Sequence, residues 1–418
     1  MSAADRQALA ACRKPRAALG RDVPVAIVAR VSLDEDARAE LGELAAKHRL
    51  RVPRILDGAQ GPVVVLDGRE VVNFASNDYL GLAGDPRLAR AGAQAAAASG
   101  TGAGASRLIV GNHREHVLLE EAVADWMRRG GVRLFNTGYA ANVGVLTTLL
   151  GAGDVVFSDE LNHASIIDGC RLSRAEIAII PHRDTGALEA GLATRRGRRR
   201  IVVTESLFSM DGDLADLETI AALCKRHDAA FVLDEAHAVG VLGPEGRGLA
   251  AELGVAPDVV IGTFGKALGS FGAFAATTPA IAELMWNRAR PLVFSTGLPP
   301  GVPAASRAAL EVIRGAEGEQ RRRALGANAR QLRSLVAGAG GAVTSAIAPI
   351  LVGDDGEVMA CTERLLAGGV FVQGIRPPTV PLGTARLRVT LSAAHTEGQI
   401  RALASALDDA MRYPRWTP

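Results

Sequence analysis

The chain has 418 residues, 48% of them hydrophobic, and carries a net charge of +2 with 22% charged residues. That length exceeds one ordinary domain and can bury a large core, while the near-neutral balance offers no excess of positive charge for nucleic acid or an anionic membrane. Four scattered cysteines (Cys12, Cys170, Cys224, Cys361) form no CxxC or metal spacing, which fits a reduced compartment and gives no metal site.

The first 45 or so residues are basic and alanine-rich, and their longest apolar run, VAIVA, is too short for a signal-peptide core or a membrane span. They read as an extension. Leu41, Leu44 and Ala45, with charged residues between them, predict an amphipathic helix within 33–50. Arg51 follows in RLRVPRI. Residues 62–82 predict a β-hairpin turning at Asp67-Gly68 and running into the irregular loop SNDYLGL. Residues 86–100 predict a helix begun by proline and ended by glycine. The glycine-rich stretch 100–116 invites a phosphate-loop reading, but it follows a helix rather than a strand and has no lysine. His113 and His116 within it lack the pattern of a metal pair.

In residues 132–150 an apolar strand gives way to Thr137-Gly138-Tyr139 and then a helix. Free N–H groups at such a helix start suit a phosphate. Residues 154–173 place His163 at another strand-to-helix junction, where a histidine by itself is as well explained as a helix cap. The basic run TRRGRRR (194–200) is short and reads as a solvated loop. Residues 201–213 predict a strand leading to Ser206, Ser209, Asp211 and Asp213, and 230–243 a strand ending in Asp234, Glu235 and His237. Then comes Lys266, the only charged residue between Asp258 and Glu283 and one of four lysines in the chain. Burial in this glycine-rich apolar run would lower its pKa and free an amine for Schiff-base chemistry; a snorkelling lysine explains this stretch alone equally well. Polar groups at the carboxyl ends of consecutive strands mark the ligand edge of an open α/β sheet. Pyridoxal phosphate chemistry needs a lysine and an acid facing the pyridine nitrogen, and Asp234 suits the second role. Arginine-rich helical stretches (304–337) and short strands (347–353, 369–375, 385–392) then predict a small α+β domain. DEAH (234–237) alone invites a helicase reading, but no GxxxxGK[ST] precedes it, and VIGTFGKA (260–267) has Val260 and Ala267 at required positions.

Taken together, FNTGYAAN (135–142), LNHAS (161–165), TESLFSMDGD (204–213), DEAH (234–237), TFGK (263–266) and IRPPTVPLGTARLR (375–388) resemble the α-oxoamine synthases in unbroken motif order. The IRPPTVP block resembles the 8-amino-7-oxononanoate synthase branch of that family. The resemblance implies an α/β fold-type I pyridoxal phosphate transferase (aspartate aminotransferase-like), with a mostly parallel central sheet and a small α+β C-terminal domain. The implied division is 1–75 for extension, helix and hairpin, 76–310 for the large cofactor-binding domain and 311–418 for the small one. It implies Lys266 as the Schiff-base lysine, Asp234 at the ring nitrogen, His163 stacked on the ring and His237 at its phenolic oxygen. Gly138, Tyr139, Ser209 and Thr263 are implied cofactor contacts, and Ser295 and Thr296 resemble the segment that reaches the neighbouring subunit's phosphate. Arg51, Asn77, His163, Arg376 and Thr379 are the implied substrate contacts; the guanidinium of Arg376 could hold a carboxylate with two parallel bonds.

The implied reaction condenses L-alanine with a pimeloyl thioester of coenzyme A or acyl carrier protein, with loss of CO2, in biotin biosynthesis. It would run in a cytoplasmic homodimer with shared active sites and no metal. A relative such as glycine C-acetyltransferase (2-amino-3-ketobutyrate CoA ligase) is the alternative, and IRPPTVP argues against it. Lys266, Asp234 and His163 together argue against a regulatory protein that merely binds the cofactor.

Overall fold

A computed structural model describes residues 32–412; residues 1–31, which hold most of the expected extension, and 413–418 lie outside the described residues. Among the described residues, those up to Leu50 and those from Arg51 onward form separate compact units. In the first, the helix Leu33–Ala46 opens with a capping box: the Ser32 hydroxyl accepts the Glu35 amide at 3.2 Å and the Glu35 carboxylate accepts the Ser32 amide at 2.9 Å. None of its residues is buried.

The second unit begins with the short strand β1 (Leu56–Asp57) and the expected hairpin of β2 (Val63–Leu66) and β3 (Arg69–Asn73). Asp67 and Gly68 both have positive φ, 50° and 75°, as a tight two-residue hairpin turn demands. Seven strands then build the central sheet: β4 (Gly131–Phe135), β5 (Val155–Asp159), β6 (Glu176–Ile180), β7 (Arg200–Glu205), β8 (Ala230–Asp234), β9 (Val259–Thr263) and β10 (Ala273–Thr277). Their order is β4-β10-β9-β8-β7-β5-β6. From β9 to β6 every pairing is parallel, while β10 runs antiparallel to both of its neighbours. Val203, Val232 and Ile261 point into one apolar layer with the helices Gly138–Leu149 and Ala164–Ser173. Val202, Leu233 and Val260 point into the opposite layer, with Leu119 and Val123 of Arg114–Met127 and Leu223 of Leu217–Arg226. Burial on both faces explains why these strands read as continuous apolar runs rather than alternating ones. Each such side chain contributes about 1.5–3 kcal/mol by leaving water. Because β7, β8 and β9 are parallel, Glu205, Asp234 and Thr263 end on one edge of the sheet.

The C-terminal part holds the antiparallel sheet of β11 (Ile347–Gly353), β13 (Gln373–Ile375) and β14 (Ala385–Thr390). The expected strand 369–375 is two. β12 (Val370–Phe371) pairs in parallel with β3, and after the fully buried Val372 the chain enters β13 beside β14. The basic run 194–200 is the expected exposed loop, and its arginines are anchored. Arg198 grips the buried Asp154 at 3.0 and 2.9 Å, Arg199 donates to the Leu149 carbonyl at 2.7 Å, and Arg195 pairs with Glu176. Those guanidiniums tie the loop to the starts of β5 and β6 and to the end of the helix Gly138–Leu149.

Candidate active site

At the carboxyl edge of the sheet lies a cleft of about 520 Å3, walled by Gly138, Tyr139, Asn142, His163, Ser165, Glu205, Asp234, Ala236, His237, Thr263 and Lys266. Each is delivered by the end of a strand or the start of a helix. Thr263 ends β9, and its hydroxyl donates to the Gly272 carbonyl at 2.9 Å while accepting the Gly265 amide at 3.2 Å. That bonding shapes the turn that carries Lys266. The Lys266 Nζ sits 2.8 Å from His237 Nε2. Desolvation lowers the pKa of Lys266 to about 8, against the opposing pull of Asp234 and Glu205. An amine in that range is available near neutrality as nucleophile and base.

Asp234, at the end of β8, is fixed from two sides. Its Oδ2 accepts from Asn142 Nδ2 at 2.6 Å and its Oδ1 accepts the Ala236 amide at 2.8 Å. Asn142 also donates to Ser165 at 3.0 Å, and its own Oδ1 is buried with no partner. His163 caps the helix Ala164–Ser173 by accepting the Ser165 amide at 3.2 Å. The cap and the cleft wall are thus the same side chain. Burial lowers its pKa, with Lys266 adding to the effect and Asp234 opposing it. On the opposite wall, Thr137 caps the helix Gly138–Leu149 by accepting the Ala140 amide at 3.0 Å. The amides of Gly138 and Tyr139 begin that helix, and an added side chain on Gly138 would meet nothing within 4 Å. A helix start facing an open cleft suits a phosphate.

Two carboxyls and an amine share this space. Glu205 is pushed up to about 8, first by burial and then by the charge of Asp234. It accepts the His163 amide at 2.6 Å, so it anchors the neck of the His163 junction. Sequence reading passed over Glu205, although it lies inside TESLFSMDGD at the end of β7. It also passed over Asn142, the last residue of FNTGYAAN, one helical turn from Gly138.

Other predicted residues fall beside the cleft rather than on its wall. Asn77 Oδ1 accepts from Tyr79 and from Arg388 Nη1, each at 3.2 Å. Ser209 is buried, and its carbonyl accepts from Arg388 Nε at 2.6 Å. Arg51 donates to the Thr379 hydroxyl at 3.4 Å, and Arg376 lies near enough to Arg51 for the like charge, together with burial, to lower its pKa. Arg51 and Arg376 thus lie together beside the Thr379 hydroxyl, with the Asp355 carboxylate also near Arg376, outside the cleft wall. Ser295 and Thr296 instead line a separate pocket with Arg107, His116 and Asn136, where the Thr296 carbonyl accepts from Asn136 at 3.0 Å. His113 and His116 hold a helix start together: His116 Nδ1 accepts the His113 amide at 3.0 Å, and its Nε2 meets the Leu298 carbonyl at 2.9 Å. Among the described residues no group of three or more His, Cys, Asp and Glu could hold a metal ion.

The model of the family "Aminotransferase class I and II" matches residues 69–407. Over 375 residues the chain is 49% identical to an 8-amino-7-oxononanoate synthase of Geobacter sulfurreducens, covering 88% of this chain and 96% of that protein. The chain belongs to the 8-amino-7-oxononanoate synthase family, among the α-oxoamine synthases. Solved relatives agree on the fold. A serine palmitoyltransferase from S. paucimobilis with bound PLP-myriocin aldimine matches with a TM-score of 0.85 at 32% identity, over 90% of this chain and 97% of that one. An 8-amino-7-oxononanoate synthase from Francisella tularensis matches with a TM-score of 0.69 at 27% identity, over 81% of this chain and 97% of that one. The fold is that of the fold-type I pyridoxal phosphate transferases, with a mostly parallel central sheet.

Proposed function

We propose that the chain catalyses the decarboxylative condensation of L-alanine with a pimeloyl thioester, giving 8-amino-7-oxononanoate, CO2 and a free thiol in biotin biosynthesis. The observation that carries this is the pairing, across one cleft, of the Lys266 amine with the buried, doubly bonded Asp234 carboxylate. The family relatives and the IRPPTVP block supply the choice of substrates. The cleft fits pyridoxal phosphate. Gly138 and Tyr139 offer amides in open space for its phosphate, Asp234 offers a carboxylate for its ring nitrogen, and Asn142 Oδ1 lacks a partner. When bound, that group supplies a carbonyl for amines and an electron-accepting ring.

The chain's own residues account for the remaining tasks. Lys266 would take the proton from the α-carbon of alanine at Nζ. Asp234 keeps negative charge opposite the ring nitrogen, held in place by Asn142 and the Ala236 amide. His163 would stack on the cofactor ring and contact the substrate. The α-carbon then forms a bond to the thioester carbonyl carbon, the C–S bond breaks, and the sulfur leaves as thiolate and takes a proton from water. CO2 departs from the former carboxyl, and the proton returns to the same carbon. Arg376 and Thr379 receive a carboxylate, and Arg51 receives the acyl chain. In this reading residues 76–310 hold the cofactor and 311–418 bring the substrate arginine. Thr296 completes the neighbouring subunit's phosphate site in a cytoplasmic homodimer. No described helix is long and apolar enough to cross a membrane.

Adding L-alanine, glycine or L-serine in turn to the purified protein loaded with pyridoxal phosphate, and following its visible absorption, tests this reading. A change with L-alanine that makes the protein competent to release thiol from pimeloyl-CoA supports it. A response to glycine with acetyl-CoA instead would transfer the chain to the ketobutyrate ligase reaction.

A further inference from the structure

Behind Lys266 runs a single file of polar atoms. Lys266 Nζ lies 2.8 Å from His237 Nε2, His237 Nδ1 lies 2.6 Å from the Tyr79 hydroxyl, and that hydroxyl lies 3.2 Å from Asn77 Oδ1. Tyr79 is completely buried, and His237 nearly so. The far end of the file is fixed as an acceptor, because Asn77 Oδ1 also receives Arg388 Nη1 at 3.2 Å. Arg388 is itself held by the Ser209 carbonyl and by Thr390.

A neutral imidazole has one donor nitrogen and one acceptor nitrogen. With the ring neutral, the file can therefore run in either of two directions. With Lys266 as an ammonium, Nζ donates to Nε2, so the ring proton is on Nδ1, which donates to Tyr79, and Tyr79 donates to Asn77. A neutral Lys266 amine can also accept, which opens the reverse direction closed to the ammonium: Tyr79 donates to Nδ1, the ring proton is on Nε2, and Nε2 donates to Nζ. Only a group that can both donate and accept serves at the Tyr79 position.

We propose that Tyr79 is a positioning residue that holds His237 and lets the ring's tautomer follow the gain or loss of a proton at Lys266 whenever that amine is free. The inference rests on the reading of Lys266 as the reacting amine. Burial supports it from two directions, since it keeps the Tyr79 phenol protonated and, helped by Lys266, Arg388 and His163, keeps His237 neutral. The charges that face Lys266 are Asp234 and Glu205, which favour its ammonium form, and Arg388, which disfavours it. Tyr79 adds no charge to that balance; it supplies the partner that both forms need.

Tyr79→Phe separates this role from simple packing. With Phe, the ammonium form would require a buried Nδ1–H with no acceptor, whereas the amine form would leave only a lone pair unmet, which is the smaller penalty. The midpoint of Lys266 reactivity should fall by about one pH unit. The measurement is reductive methylation of Lys266 in the full-length, cofactor-free protein across pH, read by mass spectrometry. It does not depend on which thioester the enzyme accepts, so a failure of the substrate assignment would leave it intact. An unchanged midpoint in a folded Tyr79→Phe protein overturns the proposal. If that variant does not fold, heavy-nitrogen labelling of the histidines in the unaltered protein decides. The His237 ring proton should move from Nδ1 to Nε2 as pH rises through the Lys266 midpoint, and a proton that stays on one nitrogen throughout overturns the proposal.

Discussion

Asp234 and Glu205 end adjacent parallel strands, and the difference in their partners separates their roles. Asp234 holds two strong donors, Asn142 and the Ala236 amide, and faces the cleft. Asp234→Asn keeps the size and most of the bonding but removes the charge opposite the ring nitrogen. Its kcat should fall about 10²–10³-fold while its melting temperature changes little, as steady-state kinetics and calorimetry would show. Glu205 is raised from its ordinary 4.5 to about 8 by burial and by Asp234. In that window the folded protein holds a proton that the unfolded chain has lost, so this group's contribution is full below about 4.5 and disappears as pH rises through about 8. Glu205→Gln cannot titrate. Its melting temperature should therefore decline less between pH 5 and 8 than that of the unaltered protein, and parallel curves would remove Glu205 from the account. Lys266 was legible as a lone charge inside an apolar run and Asp234 as the end of one, whereas His163 and His237 were singled out by the motifs around them. Glu205 was not, since a carboxylate at position two of TES looks like a strand meeting solvent until the neighbouring strand end is seen beside it.

Loop 206–214 acts as the joint between the central sheet and the C-terminal sheet. Arg386 on β14 pairs with Asp211, Arg388 on the same strand donates to the Ser209 carbonyl, and Gly212 lies under β11. Gly212 has φ of 65°, and a Cβ there would come within 2.5 Å of the Ile347 carbonyl oxygen. Gly212→Ala should cost about 1–3 kcal/mol, a drop of several degrees in a thermal melt, and should loosen the Ser209 side of the cleft. A melt unchanged within error would show that this joint does not hold the sheets together. On its outer flank the loop is held by His182, which bridges Asp159 at 2.9 Å and Asp213 at 3.0 Å. Burial opposes its charge, but the two carboxylates prevail and raise it from 6.5 to about 10. That stabilisation is complete below about 6.5 and is lost as pH rises through about 10. His182→Gln should flatten the fall in melting temperature over that range. Elements such as the 62–82 hairpin and the helix from Pro86 were readable from their turn and cap residues. The division of 369–375 between two sheets was not, because nothing in GVFVQGI breaks the strand pattern; the partners that divide it, β3 and β14, are remote in sequence.

At the scale of the whole molecule, several large apolar side chains stand in solvent. Ile109 and Val110 are 74% and 76% exposed, and Phe294 is 71% exposed, close in sequence to Ser295 and Thr296. Such a group of large apolar residues is what a second copy would cover. Ile109→Asp should shift the protein towards monomer in light scattering and weaken cofactor retention at the same time, since Thr296 is expected to serve the neighbour's phosphate. A variant that becomes monomeric yet keeps its cofactor would separate the two. The central claim is that one cleft joins L-alanine to a pimeloyl thioester and expels the alanine carboxyl. The direct measurement is CO2 release from carboxyl-labelled L-alanine, with thiol release from pimeloyl-CoA followed in the same vessel. The account predicts equal amounts of both, dependent on pimeloyl-CoA and abolished in Lys266→Ala. Thiol release without CO2, or CO2 release from labelled glycine or serine but not from L-alanine, would contradict it.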